Sequence, residues 1–407
     1  NIIFIMSDDH AANAIGAYGP RFASLDPTPN IDRLAEEGVL FENMFVTNSI
    51  CSPSRACILT GQYNHINGVE DLYGVLPETR QYLAHEMRRA GYQTAMLGKW
   101  HMRTRPDAFD WYYVLPGQGS YFDPFLYNNQ GDGEAREQRF DSRLSMVVTG
   151  QTYQGHSTDV ITDLAMRWFT EVRDREKPFF MMLHYKAPHD MYQYAPRYED
   201  YLADVEFPEP GNLWDQDQWG SVATRGRNDS LRHIIGSSIG RRNSIRTMGR
   251  SLRIDDNLDD AVYKRAAYQE YMRRYFRCVK GIDDNLGKFF EFLKEENLMD
   301  NTVIMYTSDQ GMLLGEHDLQ DKRWMFEESM QMPLLVRYPK MITPGARCTW
   351  LCNNTDFAPT ILDLAGVQKP VYMQGMSFKA ALKGVEKPAD WRTGTYYRYW
   401  MHMAHHD

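Results

Sequence analysis

Apolar runs that end in a polar cluster recur along this chain. Ile2-Ile3-Phe4-Ile5-Met6 passes into Ser7-Asp8-Asp9-His10, and Val303-Ile304-Met305-Tyr306 passes into Thr307-Ser308-Asp309-Gln310-Gly311. Tyr92 to Leu97 leads to Gly98-Lys99-Trp100-His101, and Pro178 to Leu183 leads through His184 to Lys186-Ala187-Pro188-His189. Short unbroken apolar runs mark strands buried on both faces. Helical patterns lie between them. Thr28 to Gly38 opens with Pro29 and stops at a glycine, and Gln81 to Ala90 is closed by Gly91. His156 to Arg173 places Val160, Leu164 and Trp168 on one face. Tyr268 to Leu293 turns Tyr271, Tyr275, Val279, Ile282, Leu286 and Phe290 inward. This alternation predicts the α/β class: a large mixed, mostly parallel sheet flanked by helices on both faces. Ligands of such sheets gather at the carboxyl ends of the strands, where the polar clusters fall.

Composition adds bounds. The 407 residues are 43% apolar and 24% charged, an ordinary globular balance that can bury a substantial core. A net charge of −9 speaks against nucleic acid as a partner. No stretch is long and apolar enough to span a membrane. The chain starts inside a strand, so a targeting segment is expected upstream. Five cysteines do not make a disulfide scaffold, and a Cys348–Cys352 bridge is left open. Between Phe207 and Asp260 lies a basic island of Arg225, Arg227, Arg232, Arg241, Arg242, Arg246, Arg250 and Arg253, with Asp229 as the acid among them. It reads equally as a solvated loop or as a surface for polyanions. Thr395 to Asp407 reads as a strand followed by a His-rich loop.

Two strand ends carry Asp8, Asp9, Asp309 and Gln310. A lone Asp-Asp pair would be a cap or a turn; two parallel strand ends can bring all four side chains to one point. All are hard oxygen donors, which suits Ca²⁺ first and Mg²⁺ second. Cys51-Ser52-Pro53-Ser54-Arg55 places a thiol at the start of a helix. Pro53 fits a first turn, the free N–H groups there favour anions, and Arg55 lies one turn on. An isolated pair of this kind would read as a buried cysteine beside a surface arginine.

The run from Cys51 to Arg55, continued by Ala56-Cys57-Ile58-Leu59-Thr60-Gly61, resembles the signature of the formylglycine-dependent sulfatases of the alkaline-phosphatase-like superfamily. Gly98-Lys99-Trp100-His101, the Pro188-His189 strand end, Leu314 to Trp324 and Asp356 to Gly366 resemble further stretches of that family. The resemblance covers nearly the whole chain. It implies that a maturing enzyme oxidises Cys51 to formylglycine, whose hydrated aldehyde is the nucleophile, with Arg55 holding the diol. It also implies that Lys99 contacts a sulfate oxygen, His101 is a base, His189 is the general acid and Lys322 neutralises the bridging oxygen. The family's fourth metal ligand is more often Asn or His, so Gln310 is a departure. Lys186, His317, Arg323, His405 and His406 are expected near substrate, while His184 reads equally as a core histidine. The substrate implied is a carbohydrate sulfate ester, of a glycosaminoglycan or an algal polysaccharide, in the periplasm or outside the cell. Residues 1–385 would form the catalytic domain, with the basic insertion at about 207–260, and 386–407 would begin a smaller C-terminal subdomain. The rival enzyme reading is a phosphonate monoester hydrolase or phosphodiesterase of the same superfamily. The rival of another class is an inactive polyanion-binding protein in which Cys51 stays a thiol.

Overall fold

The structure, a computed structural model, describes residues 1–139, 144–214, 238–240 and 252–400. Its strands are β1 (Ile2–Asp8), β2 (Val39–Phe41), β3 (Met44–Phe45), β4 (Gln93–Lys99), β5 (Trp111–Leu115), β6 (Phe125–Asn128), β7 (Glu134–Arg139), β8 (Ser145–Thr152), β9 (Phe179–Pro188), β10 (Val303–Ser308), β11 (Leu313–Leu314), β12 (Gln320–Asp321), β13 (Leu334–Arg337), β14 (Ala346–Cys348) and β15 (Cys352–Asn353). Eleven of them form one sheet in the order β14-β2-β13-β10-β1-β9-β4-β5-β6-β8-β7. The centre, β10-β1-β9-β4-β5, is parallel throughout. Tracing the pairings outward, β13, β6 and β7 run against the rest. The expected mixed, mostly parallel sheet is therefore observed.

β1, β9 and β10 are buried at every position. That is why their sequences are apolar without alternation: both faces are covered. One core cluster joins Ile3, Ile5, Leu97 and Leu183 to the long helix Asp260–Glu295. The other joins Phe4, Met6 and Met96 to the helices Cys51–Thr60 and Phe357–Leu364. All six inward residues expected on the long helix are buried. That helix begins at Asp260 rather than Tyr268: Tyr263 and Ala267 are buried and extend the inward stripe toward the N-terminus between exposed neighbours. The helix expected over 156–173 is α-helical at Ser157–Arg167 and continues as a wider turn over Trp168–Val172.

The strand expected after Thr395 does not form in its described part. Thr395 to Trp400 is extended chain, tied by the Arg398 N–H to the Thr47 carbonyl (3.0 Å), with Tyr397 and Tyr399 buried in the second cluster. All five cysteines are free and buried, so the Cys348–Cys352 bridge does not form. Cys348 ends β14 and Cys352 opens β15. Most of the basic island, Arg225 to Arg250, lies outside the described residues, as do His405 and His406.

Candidate active site

The carboxyl ends of β1 and β10 lie side by side, Ser7 opposite Ser308. The chain then delivers Asp8 and Asp9 from one strand end and Asp309 and Gln310 from the other. Side chains stitch the ends together: the His10 N–H donates to Ser308 Oγ (3.0 Å), Tyr306 Oη to Ser7 Oγ (2.9 Å) and the Asp9 N–H to Asp309 Oδ1 (3.2 Å). Asp9 has φ +66, an uncommon conformation for a residue with a Cβ. The long helix holds it there, since Tyr275 Oη donates to the Asp9 carbonyl (2.7 Å) and accepts from the Ala11 N–H (2.8 Å). One carboxylate oxygen from each of Asp8, Asp9 and Asp309 lies within 4.8 Å of the others, and all three residues are buried.

So much buried negative charge is unfavourable without a counterion. Burial pushes the Asp9 carboxyl up to about 7; Lys322 opposes the shift and Asp309 adds to it. Burial also works against Asp309, but Arg55 with Lys99 and Lys322 holds its carboxyl below the usual range. Three cations line the cluster from outside. Lys99 Nζ pairs with Asp8, and Lys322 Nζ pairs with Asp9. Arg55 reaches Asp309 Oδ2 through Nε (3.1 Å) and Nη2 (3.0 Å), and its Nη1 donates to the Lys99 carbonyl (2.6 Å). Gln310 Nε2 donates to Asp9, while Gln310 Oε1 is buried without a partner.

Cys51 opens the helix Cys51–Thr60, its Sγ 3.5 Å from Asp8 Oδ1. Burial pushes its thiol up to about 12, Lys322 and Arg55 opposing and the carboxylates adding to it. A thiol so held is protonated at neutral pH and is a poor nucleophile. Cys51 Sγ, an Asp8 oxygen and a His189 ring nitrogen lie within 4.8 Å of one another. His189 follows β9; its Nδ1 is 2.5 Å from Asp190 Oδ1 and its Nε2 3.7 Å from Asp9 Oδ2. Burial, with Lys99 and Lys322 nearby, lowers its pKa to about 3, and Asp190 pulls the other way.

β4 delivers Lys99. It must pass close to β9 first, and Gly98 allows this: a Cβ there would lie 1.9 Å from the His184 carbonyl oxygen, and its φ is +86. Burial, with Lys186 and Lys322 nearby, presses the Lys99 pKa well below its usual range. An arriving anion works in the opposite sense. His101 comes two residues later, its Nδ1 buried without a partner and its pKa pressed well below the usual range by burial and by Lys99 and Arg55.

These groups open into a cavity of about 180 Å³. Its floor carries Asp9, Cys51, His189 and Lys322, and its walls Gln118, Asp190, Asp321 and Arg323 with the apolar Ile50, Leu72 and Met312.

The sulfatase family model matches residues 1–367. The chain belongs to the sulfatase family. It is 39% identical over 440 aligned residues to an N-acetylglucosamine-6-O-sulfatase of Bacteroides thetaiotaomicron, covering 100% of this chain and 75% of that protein. It is 27% identical to the N-acetylglucosamine-6-sulfatase of Homo sapiens, covering 98% of this chain and 67% of that one. A solved protein in complex with its substrate, D-glucosamine-2-N,6-O-disulfate, superposes with a TM-score of 0.85 at 37% identity, covering 99% of this sulfatase and 84% of that chain. A phosphonate monoester hydrolase from Silicibacter pomeroyi, at 22% identity and a TM-score of 0.67 over 96% and 78% of the two chains, shares the fold. This protein is thus a sulfuric ester hydrolase with the alkaline-phosphatase-like fold.

Around the cavity the structure gathers Asp8, Asp9, Cys51, Arg55, Lys99, His189, Asp309, Gln310, Lys322 and Arg323 from the sequence expectations. Lys186 is buried just outside the cavity lining, its Nζ 4.8 Å from the centroid of the Tyr121 ring. His317 stands apart, stacked on Phe326 with centroids 3.9 Å apart. His184 is a buried strand histidine whose Nδ1 lies 3.4 Å from Arg55 Nη1 and whose Nε2 is buried without a partner. Sequence reasoning missed Gln118, whose Oε1 accepts from Lys99 Nζ (2.6 Å), and Asp190. It also missed Asp321, 2.6 Å from Arg323 Nε, and Tyr399, whose hydroxyl accepts from Arg323 Nη1 (2.9 Å). Asp190 and Asp321 each adjoin an expected site residue in sequence, which was the available signal.

Proposed function

We propose that this sulfatase removes the 6-O-sulfate of an N-acetylglucosamine or glucosamine unit in a sulfated glycan. The observation that carries the reading is the 39% identity, over the whole chain, to an N-acetylglucosamine-6-O-sulfatase. The similarity to a complex with D-glucosamine-2-N,6-O-disulfate supports it. It narrows the substrate from sulfated polysaccharides in general to amino-sugar glycans.

Asp8, Asp9, Asp309 and Gln310 would hold the metal. The fit rests on this chain's own atoms: three buried carboxylates in one place, Asp9 pushed up to about 7, and a buried amide oxygen without a partner. An all-oxygen set favours Ca²⁺. When bound, the ion would place positive charge beside a sulfate oxygen. Formylglycine at Cys51 would supply a hydroxyl nucleophile in place of the protonated thiol. Its installation needs a formylglycine-generating or other sulfatase-maturing enzyme.

The chain's own residues do the rest. Lys322 brings an ammonium group to the cavity lining, and Lys99, buried behind it against Asp8, would gain a proton more readily as a sulfate arrives. Arg55 holds Asp309 and the Lys99 carbonyl, so it fixes the cluster from behind. His101, with an unpartnered buried Nδ1 and a lowered pKa, is neutral and can accept a proton. His189 donates one ring N–H to Asp190 and leaves Nε2 toward the cluster, where it can serve the leaving oxygen. The sulfate's negative charge opposes the two lysines and raises the His189 pKa. Asp321 and Arg323 at the wall suit sugar hydroxyls. The site of action is proposed to be the periplasm or the exterior, where glycans are met; cell fractionation checks this.

The test is a panel of mono- and disaccharides sulfated singly at N-2, O-3, O-4 or O-6, with a matched phosphonate ester. Sulfate should be released fastest from the 6-O esters. Preference for another position would remove the substrate assignment. Faster phosphonate than sulfate hydrolysis would favour the rival chemistry.

A further inference from the structure

Leu72 is part of the apolar wall of the cavity, and the next residue, Tyr73, is 57% exposed. Single exposed aromatics are common and need no role. Tyr73 differs in where it stands and how firmly it is held. Asp71 Oδ1 accepts the N–H groups of Tyr73 (2.7 Å) and Gly74 (3.0 Å). Asn48 Nδ2, three residues before Cys51, donates to the Glu70 carbonyl (3.0 Å). Arg103, two residues after His101, donates to the Leu72 carbonyl (3.4 Å), and its guanidinium carbon lies 5.7 Å from the centroid of the Tyr73 ring. The loop is therefore tied to both segments that bear site residues.

We propose that Tyr73 forms a second sugar position at the rim of the cavity, which takes the pyranose ring next to the sulfated one. This rests on the reading of the substrate as a sulfated glycan. Tyr73 follows Leu72 directly, with adjacent Cα atoms about 3.8 Å apart, so its ring is anchored beside a residue that lines the cavity. The cavity, at about 180 Å³, is small, so a longer glycan extends across the rim. The C–H face of a pyranose carries slight positive charge and packs on the negative face of an aromatic ring. A loop fixed at both sides presents that face with little ordering cost.

The test compares wild type with Tyr73→Ala, Tyr73→Phe and Tyr73→Trp on 6-O-sulfated N-acetylglucosamine and on a disaccharide that carries the same terminal unit. Binding of the desulfated disaccharide is measured in parallel by calorimetry. Tyr73→Ala should raise KM for the disaccharide about two- to tenfold, the scale of one aromatic contact. It should weaken product binding equally, leaving kcat and the monosaccharide KM unchanged. Phe and Trp should restore wild-type values. Unchanged disaccharide KM and product binding in Tyr73→Ala would overturn the proposal, as would an equal rise on the monosaccharide. If wild type cleaves neither sugar yet Tyr73→Ala still weakens product binding, the substrate reading fails and the sugar position stands.

Discussion

Replacement of His189 by alanine should cost far more on a poor leaving group than on a good one. The ring is fixed by Asp190 Oδ1 at 2.5 Å from Nδ1, which leaves Nε2 toward the carboxylate cluster. A sugar alkoxide leaves only with a proton, and a placed general acid contributes about 10²–10⁴-fold. At about 1.36 kcal/mol per tenfold, that is about 2.7–5.5 kcal/mol of transition-state stabilisation. His189→Ala should therefore lower kcat/KM by that factor on a 6-O-sulfated sugar. On an activated aryl sulfate the loss should stay below about tenfold, because the leaving phenolate needs no acid. Asp190→Asn gives an intermediate case. It turns a charge-assisted hydrogen bond, contributing about 1.5–3 kcal/mol, into a neutral one of about 0.5–1.5 kcal/mol. The difference corresponds to about tenfold on the sugar sulfate and little on the aryl ester. Initial rates of sulfate release on both substrates are the assay. Equal losses on the two substrates, or a larger loss from Asp190→Asn than from His189→Ala, would refute the acid role.

Buried charge leads to three further outcomes. Asp309→Ala should abolish metal binding, read as stoichiometric calcium by elemental analysis in wild type and none in the variant; zinc, or an active metal-free wild type, would contradict the oxygen-ligand site. Arg392 Nη2 lies 2.7 Å from Asp356 Oδ1, and Asp356 is fully buried; Arg392→Ala should lower stability to urea by about 3 kcal/mol, and an unchanged midpoint would sink this. Burial raises the Asp283 carboxyl from 3.8 to about 6 against hydrogen bonds from Asn30 and Ile31. Its protonated form is thus favoured by folding, so its contribution is full below about pH 4 and lost as pH rises through 6, by roughly 3 kcal/mol. Asp283→Asn should flatten that part of the stability curve, and an identical slope would argue against the shift.

The sheet was legible because burial on both faces leaves an unmistakable trace: β1, β9 and β10 are apolar at nearly every position until the polar residues begin. The same rule placed Asp8, Asp9 and Asp309, since the residues that end a central strand, or come directly after it, lie at its carboxyl end. Cys51 and Arg55 were legible through the resemblance carried by the whole run from Cys51 to Gly61, since their spacing along one helical turn would by itself read as a buried cysteine beside an arginine. Residues supplied by loops left no such trace. Gln118 lies in the turn after β5 and meets Lys99 only because β5 pairs with β4, so no local pattern announces it. Tyr399 reaches Arg323 across 76 residues of chain. His317 is a polar residue in the right stretch whose ring packs on Phe326, a contact that no local pattern announces. Thr395 to Trp400 has strand-like composition, but among the described residues it makes only a single bridge at Tyr399, while Tyr397 and Tyr399 pack into the core.

The most direct test of the account is sulfate release from 6-O-sulfated N-acetylglucosamine by protein co-expressed with a maturing enzyme, beside Cys51→Ala prepared in the same way. The account predicts release in proportion to the fraction of Cys51 found as formylglycine by peptide mass, and none from the variant, which still binds the sulfated sugar. Equal release from Cys51→Ala, or full activity with Cys51 wholly unmodified, would contradict it.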